Sequence, residues 1–364
     1  MTQSFHIREE DAVRVPAGPL REATEALFRK VGLADADAAL AADVLITADL
    51  RGVDSHGVSN MLKVYLERYQ NGVQKADPQW RIVRERAGSA NIDCDRGLGV
   101  IIAPKAMEIA IEKARNTGIG VVTMFNGGHV GMAAYHAMLA LPHDMIGVCM
   151  TATGPDVAPT FGRAPRLGTN PIAIAAPTLE ERPWVFDMAT SVVPVNKVRN
   201  ARRMGTLLPP GTIASEDGTP VMEPAPVPDD YILLPLGTNR DAGSHKGYGL
   251  AVAVEVLCSL LAGSDYGMRV GRQNYRHYVA AYNIDAFSDA GEFKARMDDF
   301  IRELKATPPA TGHDRVLVAG DPEWDALEER SARGIPLHRD VVEWFRGVCA
   351  EFDVECNIQG QPEA

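Results

Sequence analysis

The sequence predicts an α/β fold joined to a helical domain, and three observations predict it. Residues 20 to 50 repeat apolar side chains at helical spacing. From about residue 120, short apolar runs alternate with Gly and Pro, as expected of a well-buried sheet. The end of the chain carries two more amphipathic helices. At 364 residues, with 46% hydrophobic and 23% charged residues, the chain suits one large core or two to three domains.

In order along the chain, Leu40, Val44 and Ala48 fall at i, i+4 and i+8 in a helix-forming segment. Asp54-Ser55-His56-Gly57 breaks that pattern, and Met61 to Tyr69 resumes as a helix that ends near Gly72. Residues 76 to 120 read as a small α/β piece. It has strand-like Arg81 to Val83 and Ala90 to Asp93, then a helix from Ala103 to Asn116 that stops at Gly118. Gly120 to Phe125, Met145 to Met150, Ile172 to Ala176 and Trp184 to Asp187 are strand candidates. Residues 206 to 235 are Pro-rich and read as a long irregular loop, which is uncommon unless functional. A helix from Lys246 follows. Its apolar run Leu250 to Ala262 carries Glu255 and falls short of the roughly 20 residues that cross a bilayer, so it reads as a buried helix. Helices at Asp321 to Ala332 and His338 to Phe352 can pack back on the N-terminal ones. The expected division is therefore a helical domain of 1–75 with 321–355 returning to it, a small α/β segment of 76–120, and an α/β domain of 121–320 that holds the chemistry.

Charge and composition exclude several functions. A formal net charge of -11 disfavours nucleic acid and anionic membranes, which bind through clustered Lys and Arg. Met1 to Gly18 has no apolar stretch typical of a secretory leader. Five cysteines without regular spacing suggest free thiols in a reducing cytoplasm. Nine scattered histidines give no metal-ligand pattern, and His129 and His136 stand seven apart with no completing carboxylate, so no metal is expected.

A conventional dinucleotide site needs G-x-G-x-x-G between a strand and a helix. Gly97-Leu98-Gly99 and Gly118-Ile119-Gly120 both lack the third glycine, so a nicotinamide enzyme with this sequence is not a conventional Rossmann one. Four other motifs carry titratable groups. Ser55-His56-Gly57 stands at a helix entrance, where a loop histidine can exchange a proton near pH 7. His56, Asn60 and Lys63 then fall at i, i+4 and i+7, so one cavity could receive all three, with Lys63 on a substrate carboxylate; the plainer alternative is a solvated helix face. Asn126-Gly127-Gly128-His129-Val130-Gly131 directly follows a strand, and glycines there let a ligand approach the backbone.

Leu167-Gly168-Thr169-Asn170-Pro171 and Phe186-Asp187-Met188-Ala189-Thr190 both abut strand-like runs. Asp187 can accept bonds from ribose hydroxyls or orient a histidine, although an Asp at a strand end more often caps the next element. Ser244-His245-Lys246-Gly247-Tyr248-Gly249 opens a helix. A Lys at that positive end is unfavourable by itself and points to an anionic ligand such as a phosphate.

Together with Ala48-Asp49-Leu50-Arg51-Gly52-Val53-Asp54, these motifs resemble the malate/L-lactate dehydrogenase family of the non-Rossmann type, also called L-sulfolactate dehydrogenase-like. Ureidoglycolate dehydrogenase, 2,3-diketogulonate reductase and piperideine-2-carboxylate reductase are among its members. The resemblance runs from about residue 20 to about residue 350. It implies a mixed, roughly seven-stranded sheet flanked by helices, a homodimer, and NAD or NADP as cofactor. It implies cofactor contacts at Thr153, Asp187, Met188, Ala189, Lys246, Gly320, Asp321 and Pro322, and proton transfer by His56, with Ser55 beside it, or by His129. Many members carry Arg four residues after the His of S-H-G, where this chain has Asn60. Family members usually have a Trp near Gly211, where this chain reads Gly211-Thr212-Ile213-Ala214.

The expected function is hydride transfer between a nicotinamide cofactor and C2 of a small 2-hydroxy or 2-oxo acid. His56 or His129 supplies the proton, and Asn60, Lys63, Thr169 and Asn170 surround the carboxylate substrate. Reduction of cyclic 2-imino acids is the alternative within the same chemistry. A nucleotide-binding protein without catalysis is the alternative of another class, and the intact His56, His129, Asp187 and Lys246 argue against it.

Overall fold

Apolar spacing and breaker residues set the elements in order. The structure, a computed structural model, describes Phe5 and residues 7 to 358. The remainder of the Met1 to Gly18 stretch lies outside the described residues. Strand β1 (Ala12–Val15) leads into α1 (Ala17–Lys30), α2 (Asp35–Leu50) and α3 (Val58–Gln70). The helix expected over residues 20 to 50 is two helices. Gly32 adopts φ +99° between them, a left-handed turn that no continuous helix contains. Then come β2 (Arg81–Arg86), β3 (Ser89–Asp93), α4 (Gly99–Thr117), β4 (Ile119–Gly127), α5 (Ala133–Met138), β5 (Met145–Ala152), β6 (Ile172–Ala176) and β7 (Trp184–Met188). The second half holds α6 (Val195–Met204), β8 (Ile213–Ala214), β9 (Ile232–Leu233), α7 (Ser244–Val254), α8 (Gly267–Val270), β10 (Tyr275–Asn283), α9 (Ala290–Lys305), α10 (Asp321–Arg333), β11 (Ile335–His338) and α11 (Arg339–Glu351).

Seven strands form one mixed sheet in the order β2-β3-β4-β10-β5-β6-β7. β3 and β4 run parallel, and the other neighbours are antiparallel. The four apolar runs expected as strands are β4 to β7. Central β10 is an addition: its Tyr-Arg-His-Tyr start hides a strand whose Tyr278 pairs with Thr123 on one side and Met150 on the other. The Pro-rich segment stays irregular apart from the two-residue pair β8–β9. It closes over a small cluster of Val157, Val193, Val198, Leu208, Ile213 and Leu233.

α4 and α5 cover one face of the sheet, and α7 lies on the other. The expectation that Leu250 to Ala262 is a buried helix is corrected. α7 stops at Val254 and passes into a π-helical turn, Glu255–Leu260. Ala251, Val254 and Cys258 are buried, with Val254 and Cys258 packing on Val148, Ala152, Tyr278 and Ala280, whereas Leu250, Val252, Val256, Leu260 and Leu261 are 38 to 59% exposed. A run apolar all round carries no sign of which side meets the protein, and one sheet face can cover only one side. Glu255 anchors the turn by accepting bonds from Ser259 Oγ at 2.6 Å, Gly267 N at 3.3 Å and the fully buried Arg276 at 3.3 Å.

The two ends of the chain meet. β11 pairs antiparallel with β1 from Ala12↔His338 to Val15↔Ile335. α10 rests on α2, and Arg330 donates to the Asp49 carbonyl at 2.6 Å and pairs with Asp54. One hydrophobic core runs from Phe28 and Leu45 through Ile102 and Met124 to Leu337 and Phe345. All five cysteines are free thiols. Among the described residues no helix is long and apolar enough to cross a membrane.

Candidate active site

His56 is placed by the turn between α2 and α3. Gly57 is the N-cap of α3, and the Asp49 carboxylate accepts the Val58 N–H at 2.8 Å. A side chain at Gly57 could not coexist with that bond, because its Cβ would stand 1.8 Å from Asp49 Oδ1. Burial pushes the Asp49 carboxyl up to about 8, the Val58 bond opposing it in part. The Asp54–Arg330 pair holds the other side of the turn, and the Ser55 hydroxyl lies 2.8 Å from His56 Nδ1.

His129 comes from the glycine-rich end of β4 and meets His56 face to face. The ring centroids are 5.5 Å apart and the planes differ by 10°. The Tyr65 hydroxyl lies 2.7 Å from His129 Nδ1, and Gly131 N–H donates to the same nitrogen at 3.1 Å. That nitrogen is therefore an acceptor, and in the neutral ring the proton sits on Nε2. Tyr275 meets the His129 ring edge-on at 5.4 Å, with the Arg68 guanidinium 5.4 Å above the tyrosine ring. Desolvation holds His129 well below its ordinary value, helped by the charges of His56 and Arg68. Desolvation and then Lys197 bring His56 down to about 4. Both rings are thus neutral near pH 7, and neither Nε2 has a protein partner among the described residues. Such a pair can hydrogen-bond a substrate oxygen and pass a proton to or from it.

The two further motifs are knit to each other. The Asn170 carboxamide accepts from Thr153 N at 2.9 Å and donates to Ala251 O at 3.0 Å. Thr190 N–H donates to Thr169 O at 2.9 Å, and its hydroxyl reaches Thr169 O and Asn170 O at 3.1 Å each. Asp187 accepts the Ala134 N–H at 2.7 Å, so it caps a helix, though α5 rather than the next element in the chain. Asp187 is open to solvent. The protein packed around it still desolvates its carboxyl and pushes it up to about 7. The Gly320-Asp321-Pro322 turn lies against the same strand, where Val185 N–H donates to Ala319 O at 3.3 Å. Asp321 is buried and pairs with Lys305 at 3.0 Å. Leu236 N–H donates to Thr190 O at 2.9 Å, and Gly247 is packed on Leu236, so the first turn of α7 stands beside the Asp187 to Thr190 segment. Lys246 projects from that turn, exposed and without an ion pair among the described residues.

Three expected substrate contacts do not join the site. Asn60 is buried and donates to Asp54 O at 2.7 Å and to Asn200 at 3.0 Å, so it faces the protein interior. Lys63 is an outward residue of α3, 61% exposed, with Glu67 at 4.0 Å. Asn170 is fully enclosed, and its bonds tie Thr153 to α7. The shared-face argument fails because His56 precedes the first helical residue, Val58, so helical spacing counted from it has no meaning. The residues missed from sequence are Tyr65, Arg68, Tyr275 and Lys197. Tyr65 and Arg68 lie on a helix that was recognised, but nothing marked their face. Tyr275 and Lys197 lie on β10 and α6, elements that apolar patterning did not reveal.

The sequence profile of the malate/L-lactate dehydrogenase family matches residues 15–346. Malate dehydrogenase of Pyrococcus abyssi is 39% identical over 353 residues, covering 95% of this chain and 97% of that protein. The structure of malate dehydrogenase from Pyrococcus horikoshii OT3 superposes with a TM-score of 0.89 at 36% identity, covering 96% of this chain and 98% of the other. Sulfolactate dehydrogenase from Methanocaldococcus jannaschii superposes with a TM-score of 0.85 at 33% identity, covering 94% and 98%.

Proposed function

The chain belongs to the malate/L-lactate dehydrogenase family, and on that premise we propose that it transfers a hydride between NAD or NADP and C2 of a small 2-hydroxy or 2-oxo acid. The observation that carries this reading is the neutral His56–His129 stack, with both Nε2 atoms unpartnered among the described residues. A bound nicotinamide supplies or accepts the hydride. The donor set suits such a cofactor: Lys246, without an ion pair among the described residues, stands at the positive end of α7 and matches a phosphate, and the open Asp187 carboxylate matches ribose hydroxyls. Thr153, Met188, Ala189 and the Gly320-Asp321-Pro322 turn complete the group assigned to hold it.

In oxidation, His56, with its proton on Nδ1 toward Ser55, accepts the hydroxyl proton at Nε2 and becomes an imidazolium, while the His129 Nε2–H donates to the same oxygen; in reduction, a His56 imidazolium protonated from solvent gives that proton to the C2 oxygen. Ser55 and Tyr65 keep the two rings parallel by engaging their Nδ1 atoms. General acid–base help of this kind is worth roughly 10²–10⁴-fold. The five free thiols fit a reducing compartment, and we place the enzyme in the cytoplasm. We further propose a homodimer, because α7 and the π-helical turn expose a row of large apolar side chains that a monomer has no use for.

Mixing the protein with NADH or NADPH and single 2-oxo acids, among them oxaloacetate, pyruvate and sulfopyruvate, tests the reading by loss of absorbance. Substrate-dependent oxidation of one cofactor is expected. Turnover confined to cyclic 2-imino acids would move the assignment to ketimine reduction, and no turnover with either class would leave a nucleotide-binding protein.

A further inference from the structure

With Asn60 turned inward and Lys63 outward, the two expected anchors leave the substrate carboxylate without a cation. The structure offers one from another element. α6 carries Lys197, Arg199, Arg202 and Arg203. Three of them have acceptors: Arg199 bonds Asn196 Oδ1 at 3.0 Å, Arg202 bonds the Pro228 carbonyl, and Arg203 bonds the Ser59 carbonyl at 3.3 Å. Lys197 makes no hydrogen bond or ion pair among the described residues; its ammonium lies 5.7 Å from the Phe5 ring.

Its position is fixed by its neighbour. Asn196 donates to the Ser55 carbonyl at 2.7 Å, and its carboxamide nitrogen lies 3.3 Å from Met61 Sδ; one turn later Asn200 accepts from Asn60 at 3.0 Å. These contacts clamp α6 along the entrance to α3. Lys197 follows Asn196 in the chain as His56 follows Ser55, so the clamp joins the two segments that carry the ammonium and the imidazole. The two are close enough for the lysine charge to help lower His56. Asp54 and Glu323 act on Lys197 from a distance without bonding it. A cation next in the chain to that clamp, without a hydrogen bond or ion pair among the described residues, matches an incoming anion in a chain of net charge -11.

We propose that Lys197, held by the Asn196–Ser55 clamp, pairs with the C1 carboxylate of the 2-oxo acid. The proposal rests on the reaction assigned above. C1 and C2 are bonded neighbours, so a carboxylate fixed on the His56 side brings the C2 oxygen to the two Nε2 atoms. A point-charge ammonium also tolerates variation in the rest of the acid better than a bidentate guanidinium does.

Lys197→Met keeps the stem and deletes the charge at an exposed position, so folding is not at stake. The readout is equilibrium binding of oxamate, an unreactive analogue, followed through the fluorescence of enzyme-bound reduced cofactor, alongside KM for the 2-oxo acid. Loss of one charge-assisted hydrogen bond predicts roughly 10–150-fold weaker oxamate binding and a similar rise in KM. Cofactor affinity should be unchanged, and Lys197→Arg should recover most of the loss. Methyl pyruvate, which has no charge at C1, should bind the wild type and Lys197→Met equally. Unchanged oxamate binding in Lys197→Met, or an equal loss with methyl pyruvate, would overturn the anchor while wild-type turnover keeps the reaction. A wild type inactive on every 2-oxo acid would remove the reaction and the anchor together.

Discussion

The stacked imidazoles of His56 and His129 compete for water with the protein around them, and the protein wins. His56 is brought down to about 4, and His129 lies well below its usual value. The sign of the pH dependence follows. Oxidation of a 2-hydroxy acid needs the neutral base, which is present above the folded pKa and lost as pH falls through it. We expect kcat/KM for oxidation to stay level from pH 8 to 6.5 and to fall only below that. A profile already falling between pH 7.5 and 6.5 would mean that the essential base is not this desolvated pair. His129→Ala should lower kcat by on the order of 10²-fold or more. Tyr65→Phe, which removes the hydroxyl at Nδ1 and leaves the ring and the Gly131 N–H, should cost less than His129→Ala. Equal losses would make Tyr65 the proton carrier instead.

At the scale of elements, the entrance to α3 carries the site. Asp49 in α2 caps the Val58 N–H, and Gly57 makes room for that carboxylate. Gly57→Ala forces the carboxylate away. It should cost about 1–3 kcal/mol for overpacking plus ~1 kcal/mol for the lost cap, read as a lower urea midpoint with unchanged slope. His56 would move with the turn, so activity should fall more than the folded fraction does. A variant as stable as wild type would show that the turn relaxes freely and that Asp49 is not its support. The break between α2 and α3 at the Ser-His-Gly turn was legible in sequence because Gly and short polar residues interrupt an apolar period, whereas the break at Gly32 between α1 and α2 was not. β10 and α6 were not. β10 buries Arg276 and His277, which read as polar, and α6 carries four basic residues that mask its packing face.

For the whole molecule, the terminal segments close the back of the site: β11 pairs with β1, and Arg330 of α10 reaches Asp54 beside the Ser55-His56-Gly57 turn. The opposite face leaves Val256, Leu260 and Leu261 open at 46, 52 and 59%. A dimer burying them should sediment at twice the chain mass. Val256→Glu with Leu260→Glu should shift it to monomer while the far-UV circular dichroism is kept. A monomeric wild type at micromolar concentration would refute the dimer, and an unaffected dimer in the double variant would move its interface elsewhere.

The sequence by itself determined the local chemistry: the two histidines, each beside glycine, the four apolar strands, the lysine at the start of α7 and the absence of a Rossmann loop. These are readable because each depends on neighbours within a few residues. Only the tertiary structure decided which of these groups meet. That His56 stacks on His129, that Asp187 caps α5, that Asn60 turns inward and that Asn196 clamps the Ser55 carbonyl are contacts between residues 53 to 141 positions apart. No periodicity along the chain encodes such pairings, because they are set by the packing of α6 and α3 and by strand order. Lys63 shows the reverse: its spacing looked right, yet the helix begins after His56, and a turn of a few residues rotates the lysine into solvent.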